Sequence, residues 1–243
     1  MANWGIVDFL WMSIYILGAL AFTSPSEYRV VAVNVFWAIV AWNLMSTPSW
    51  TIGNWIRFYI LMGLLEEHEL ASASHSLFLT LRVIPSMIVS SVSAIAAAVF
   101  LTAITGANIL VVRDPLLLAA SLVAILAMAT LYSLTLAFLS VFTSAPAPLL
   151  DMLNFVLFVA GGIAVPVSRL PAPLRIVAIA TPYSHPSELM RYATTGMKPY
   201  LGVAGEAIAS IAFIALLATG MTTAKRAAMK LIRREGPRGI GRT

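Results

Sequence analysis

Long apolar runs separated by short polar breaks dominate the chain, and they predict an all-α, polytopic membrane protein. Apolar runs cover about 9–23, 30–52, 83–104, 115–143, 149–165 and 203–223. Several approach or exceed the roughly 20 residues of helix needed to cross a hydrocarbon core. Six transmembrane helices are therefore expected. Trp4 and Trp11 are placed as interfacial anchors for the first, and Asp8 stands where a carboxylate meets the positive end of a helix dipole. Pro48 kinks or ends the apolar part of the second run, and Trp50 onward continues it with helical spacing. Pro85 is expected in the first turn of the third span, where proline is best tolerated, and Pro115 opens the fourth.

One stretch breaks the pattern. Between the fifth and sixth runs lies GGIAVPVSRLPAPLRIVAIATPYSHPSELMRYATTG, residues 161–196. Pro166, Pro171, Pro173, Pro182 and Pro186 each remove a backbone donor and clash with a preceding helical turn, so no continuous span can cross here. Pieces with helical spacing remain at 174–180 and 187–194. The expected shape is a span stopping near Val165, two short external or re-entrant helices within 166–200, and a return span.

Charge then orients the chain. Of the fifteen basic residues, seven lie from Lys225 onward, and a basic tail directly after an apolar span marks a cytoplasmic end. Six spans put both termini on that side. The segment GLLEEHELASASHS, 63–76, is then also cytoplasmic and carries the one compact acidic cluster, Glu66, Glu67 and Glu69, around His68. The proline-rich stretch faces outward. The first run has no basic region or cleavage site before it, so it is expected to remain as a span. A multi-pass protein of the cell membrane, with both ends cytoplasmic, is the localisation that follows. Nearly half of the basic residues lie in that tail, where they serve orientation, so the net charge of +5 gives no reason to expect a nucleic-acid partner.

Composition strengthens the membrane assignment and narrows the chemistry. Hydrophobic residues make up 60% of the chain and charged residues 10%, with a mean hydropathy of +0.92, far from a soluble domain. With no cysteine, no thiolate chemistry is available. His68, His75 and His185 show no metal-ligand spacing, and His185 has no acid or nucleophile in a nameable constellation, so the chain is expected not to be an enzyme. Asp8, Arg82, Asp151 and Glu206 all fall in the first turn or so of their helices, where water or headgroups reach them. That placement argues against a proton- or sodium-coupled carrier, which needs buried carboxylates near the midplane. Asn34, Asn43 and Asn154 are read as helix–helix hydrogen-bonding residues. No glycine-rich phosphate loop and no obvious internal repeat is present. Spans rich in Leu, Ala, Val, Phe and Met suit a partly apolar cargo, although lipid-facing surfaces demand the same residues.

The order of apolar helix, Gly162, Pro166, Leu170-Pro171, Leu174, Pro182 and a polar helix carrying Arg191 resembles the end of the six-span permeases of ATP-binding-cassette (ABC) exporters, the type-2 family. Gly63-Leu64-Leu65-Glu66 is a loose version of the coupling segment between their second and third spans. The resemblance implies a transmembrane permease domain over 1–224, a cytoplasmic coupling segment at 63–76 and a gate at 166–200. A basic tail would occupy 225–243. It also implies ATPase docking through Gly63, Glu66, Glu67, His68 and Glu69, and a gate built on Gly162, Pro166, Leu170, Pro171, Leu174, Pro182 and Arg191. A second permease copy or a related permease, two ABC ATPase subunits and membrane lipid would be the partners. No cofactor is expected in this chain; ATP and Mg would bind the partner ATPase. The chain departs from the family in having only about seven residues before its first span, and in an acidic rather than mixed coupling segment. An ATP-independent channel or carrier, and a structural or assembly membrane protein, are the alternatives.

Overall fold

In a computed structural model, residues 2–21, 23–24, 27–62, 64, 74–106, 108–140, 142 and 147–235 are described. Among them every regular element is helical: α1 (Ala2–Ala21), α2 (Tyr28–Leu61), α3 (His75–Thr105), α4 (Pro115–Leu139), α5 (Ala147–Ala160), a 3-10 turn (Val167–Arg169), α6 (Ala172–Ile179), α7 (Ser184–Thr195) and α8 (Gly202–Glu235). Four of these contain stretches long and apolar enough to cross a membrane: Tyr28–Ile56, His75–Thr105, Pro115–Leu139 and Gly202–Arg234. The apolar part of α1 is shorter, Phe9–Ala19.

Local signals explain the helix ends and adjust the expected boundaries. The side chain of Asp114 accepts from the Leu117 amide at 2.9 Å, and Pro115 follows it at the first helical position. Ser74 caps α3 by accepting from the Leu77 amide, which starts that helix two turns earlier than its apolar run. Pro85 is consequently an interior residue of α3 rather than part of its first turn. Pro48 is likewise inside α2, which runs unbroken for 34 residues. Interior prolines persist in apolar surroundings where neighbouring helices and hydroxyl side chains satisfy the freed backbone. Gly106, with φ of 66°, ends α3 in the left-handed conformation that glycine adopts without a Cβ penalty. At the other end of the chain, α8 carries through Lys225 and Arg226 to Glu235 instead of stopping with its apolar part.

The core is helix against helix. α2 packs most extensively on α4, α4 also on α8, and α1 and α2 on α3, while α3 and α4 scarcely touch. Two apolar clusters result. One gathers Met12, Phe36, Ala41, Leu101, Met128 and Tyr183; the other gathers Ile52, Leu79, Leu134, Phe138 and Ala228. The outward faces stay apolar: Val92 is 62% exposed and Ile208 69%. Continuous apolar exteriors of this kind suit lipid as the surrounding solvent.

Polar contacts between the long helices are few. Ser133 gives its proton to the Ala129 carbonyl at 2.6 Å, leaving Ser49 to donate to Ser133 Oγ across the α2–α4 interface at 3.0 Å. The expected amide bonds are not made among the described residues: Asn154 is buried with neither amide atom partnered, as are Asn34 Oδ1 and Asn43 Nδ2. The serine pair takes the bridging role instead. Ser49→Ala should cost less than about 1 kcal/mol, since interhelical hydrogen bonds within membranes average about 0.6 and Ser133 keeps its bond to Ala129. Thermal unfolding in detergent checks this, and a loss of several kcal/mol would show that the pair anchors more than one interface.

Candidate functional site

The proline-rich stretch folds as a chain of short, tightly turned pieces, and its prolines stand where helical turns begin. Pro166 precedes the 3-10 turn, Pro171 caps α6, Pro173 lies in its first positions, and Pro186 lies in the first turn of α7. At those places a missing N–H costs nothing. After α5 the backbone reverses at Gly162, whose φ is 72°. A Cβ there would meet Val167 Cγ2 at 2.9 Å and Ser184 Oγ at 3.3 Å, so glycine is required by both conformation and space.

α7 lies deep in the bundle. Most of its side chains are polar, among them Ser184, His185, Glu188, Arg191 and Thr194, yet ten of its twelve residues are buried, against α4, α8, α2 and α6. At one end the Arg113 and Asp114 amides, just before α4, donate to the Ala193 carbonyl at 2.8 and 3.0 Å. At the other end the Tyr183 ring stands edge-on to Tyr132, their centroids 6.3 Å apart. Tyr132 is more than four turns into α4, roughly 25 Å along its axis at 1.5 Å per residue. The α7 segment therefore runs alongside α4 rather than resting on its tip.

Burying such a helix requires partners for every charge, and two carboxylates supply them. Arg191 donates from Nη1 to Glu188 Oε1 at 2.7 Å and from Nη2 to the Gly162 carbonyl at 2.7 Å and to the Ile163 carbonyl. Glu188 also accepts from the Val167 amide at 3.1 Å and the Tyr200 amide at 3.3 Å. One ion pair thus ties α7 to the turns on both sides of it. Burial lowers the Arg191 pKa from the ordinary guanidinium value, and the charge and hydrogen bond of Glu188 oppose that shift. Burial also raises the Tyr183 phenol well above its usual range, with Tyr132 adding to the effect.

The second carboxylate is Glu206, in the first turns of α8. Its Oε2 lies 2.6 Å from His185 Nδ1 and its Oε1 accepts from the Leu201 amide at 2.9 Å. His185 Nε2 lies 3.0 Å from the Ile179 carbonyl, and the imidazole stacks on Phe213 with centroids 5.3 Å apart. Glu206 and His185 are each 2% exposed. This corrects two expectations: Glu206 does not stand where water reaches it, and His185 does have an acid partner.

Of the residues singled out from the sequence, the structure joins Gly162 to Arg191 directly. Leu170 packs with Val167 and Ala178 in a small apolar cluster, over turns set by Pro166 and Pro171. Pro182 lies in the turn leading into α7, beside the buried Tyr183. Leu174 stands apart, 41% exposed on α6. Gly63, Glu66, Glu67, His68 and Glu69 lie outside the described residues, as do the side chains of Asp8 and Asp151. Arg82 is exposed, its guanidinium 3.9 Å above the Trp55 ring.

Sequence reasoning does not pick out Glu188, His185 and Glu206 as site residues. Glu188 and Arg191 at a three-residue spacing on one helix face are a usable signal. The pairing of His185 with Glu206, 21 residues away, leaves no local trace. Among the described residues no group of three or more His, Asp or Glu side chains could hold a metal ion. What the arrangement can do is mechanical: it fastens α7 between α4 and α8 and ties it to the turns before and after it. The chain matches no protein-family model, and no curated protein resembles it at a significant level.

Proposed function

We propose that this chain is the membrane-spanning subunit of an ATP-driven exporter of the ABC type-2 kind. In this scheme α1 and α5 serve as the first and fifth of six spans, and the termini and the 63–76 segment lie in the cytoplasm. The 166–200 segment is a re-entrant gate entered from outside. Two copies, or one copy and a related permease, enclose the pathway. ATP and Mg bind separate ATPase subunits, and the chain itself performs no catalysis. The observation that supports this best is the buried Glu188–Arg191 pair fastening α7 to the Gly162 turn and to the backbone before α8. A gate braced in this way moves as one body with the helices that flank it, so a displacement of α4 against α8 would be transmitted to it. Differential packing of the spans in two states then supplies the pathway, and the ATPase supplies the driving energy.

Docking is assigned to the 63–76 segment, where Glu66, Glu67 and Glu69 offer an acidic face for a basic-rimmed groove. Reversing all three to lysine should abolish co-purification of the ATPase and leave thermal unfolding of the spans unchanged. An ATPase that still co-purifies with the triple variant would remove that assignment.

A second reading is favoured by one finding. Glu188, Glu206 and His185 are buried, and buried ionisable groups are the usual parts of an ion-coupled carrier. An ATP-independent carrier would need no ATPase partner, and a proton gradient across vesicles holding this chain alone would then drive solute movement.

A further inference from the structure

His185 Nε2 faces the Ile179 carbonyl, and Nδ1 faces Glu206 Oε2. A carbonyl oxygen only accepts, so Nε2 must carry a hydrogen to bond there. The 2.6 Å approach of Nδ1 to Oε2 needs a second hydrogen between them, whether it sits on nitrogen beside a carboxylate or on oxygen beside a neutral ring. The geometry therefore fixes a proton count of two for the pair, one structural on Nε2 and one shared.

We propose that His185 and Glu206 form a proton-binding site that fastens α7 to α8 only while the shared proton is present. Removing it transfers the proton to solvent and leaves the electron pair on Nδ1, pointed at a carboxylate 2.6 Å away. That contact is repulsive. Adding a further proton instead leaves an imidazolium donating to a neutral carboxyl, which still attracts. The latch therefore opens towards alkaline pH and holds towards acid. The site lies near the surface of the protein: Leu201, whose amide donates to Glu206, is 44% exposed, and the charged Lys198 three residues before it is exposed too.

Few other charges intervene. α8 carries no ionisable residue but Glu206 before Lys225, α4 has Tyr132 alone, and α2 has none from Val30 to Ile56. α6 contributes Arg175, which is engaged with the Ser168 and Leu170 carbonyls and lies over the Tyr200 ring. On α7 itself Glu188 and Arg191 neutralise each other. Tyr192 and the capping Tyr183 are the other ionisable residues there, and Arg113 lies against Gly196 at its far end. The link to α8 holds Lys198 and Tyr200. Lys198 and Arg113 are exposed, where solvent screens their charges; with the remaining charges paired, the shared proton is the buried group that changes the charge between α7 and α8.

The site does not depend on the exporter scheme; it would act on the gate whether ATP or an ion gradient drives transport. The chain has no cysteine, so Ser210→Cys, one turn beyond Glu206 and 4% exposed, gives a single buried reporter. Its modification by a small maleimide is compared, at each pH from about 5 to about 10, with the same reporter in a His185→Gln/Glu206→Gln double variant. That variant keeps a side-chain hydrogen bond without a titrating proton, and the ratio cancels the reagent's own pH dependence. The ratio of native-pair rate to double-variant rate should rise by up to about tenfold per pH unit where the open form has released the shared proton and the closed form still holds it, and level off above that range. A ratio constant across the range would overturn the proposal. Should the double variant fail to fold, nitrogen-15 histidine spectra of the unsubstituted chain decide. A single titration step at Nδ1 with Nε2 protonated throughout is expected. A bare Nε2, or no step at Nδ1, would overturn it.

Discussion

Arg191→Ala should destabilise the folded chain by about 3–5 kcal/mol, the cost of removing one member of a buried ion pair. The substitution leaves Glu188 charged and 2% exposed with only two backbone amides for company, and it orphans the Gly162 and Ile163 carbonyls. Arg191→Lys should recover only part of that loss, because a single ammonium cannot fork between a carboxylate and two carbonyls as a guanidinium does. Replacing both partners, Glu188→Leu with Arg191→Leu, should cost less than Arg191→Ala alone. It would not be neutral, since the Val167 and Tyr200 amides would lose their acceptor. Unfolding of the purified protein in detergent measures all three. A small effect of Arg191→Ala, under about 1 kcal/mol, would mean that water reaches this pair and that it braces nothing.

Gly162→Ala should cost about 2–4 kcal/mol by an unrelated route. A left-handed backbone penalises any L side chain by roughly 1–2 kcal/mol, and the new Cβ would stand 2.9 Å from Val167 Cγ2 and 3.3 Å from Ser184 Oγ, an overpacking cost of similar size. Gly202→Ala provides the comparison. Its φ of 74° imposes the same backbone penalty, and no atom lies within 4 Å of the added Cβ. The difference between the two variants isolates the crowding at the turn. Because the Gly162 carbonyl is an acceptor for Arg191, the double variant Gly162→Ala/Arg191→Ala should lose less than the sum of the single losses. Equal stability of the Gly162→Ala and Gly202→Ala proteins would mean that the turn can shift without disturbing α7.

The helical architecture is legible in the sequence because apolar runs bounded by proline, glycine and charge leave few other options. Pro115 marks the start of α4, and the breaks at Pro166, Pro171 and Pro186 fall where turns begin. Boundaries drift where hydropathy and capping disagree. Ser74 starts α3 well before its apolar run, and α8 continues past Lys225 because basic residues are good helix formers. Within the site, Gly162 and Arg191 each stand out separately, but nothing in the pattern says that one holds the other. Glu206 is misplaced by sequence reasoning for a physical reason. Its position near a helix start says how far along the axis it lies, whereas burial depends on what packs beside it, and α7 does. Long-range pairing of this kind is a property of the fold, not of any window of sequence.

Purification of the native complex from membranes in mild detergent, followed by identification of its subunits, tests the central claim most directly. The account predicts an ABC ATPase present at one per permease subunit, released by charge reversal at Glu66, Glu67 and Glu69. A preparation free of any ATPase that still moves solute when reconstituted alone would contradict it.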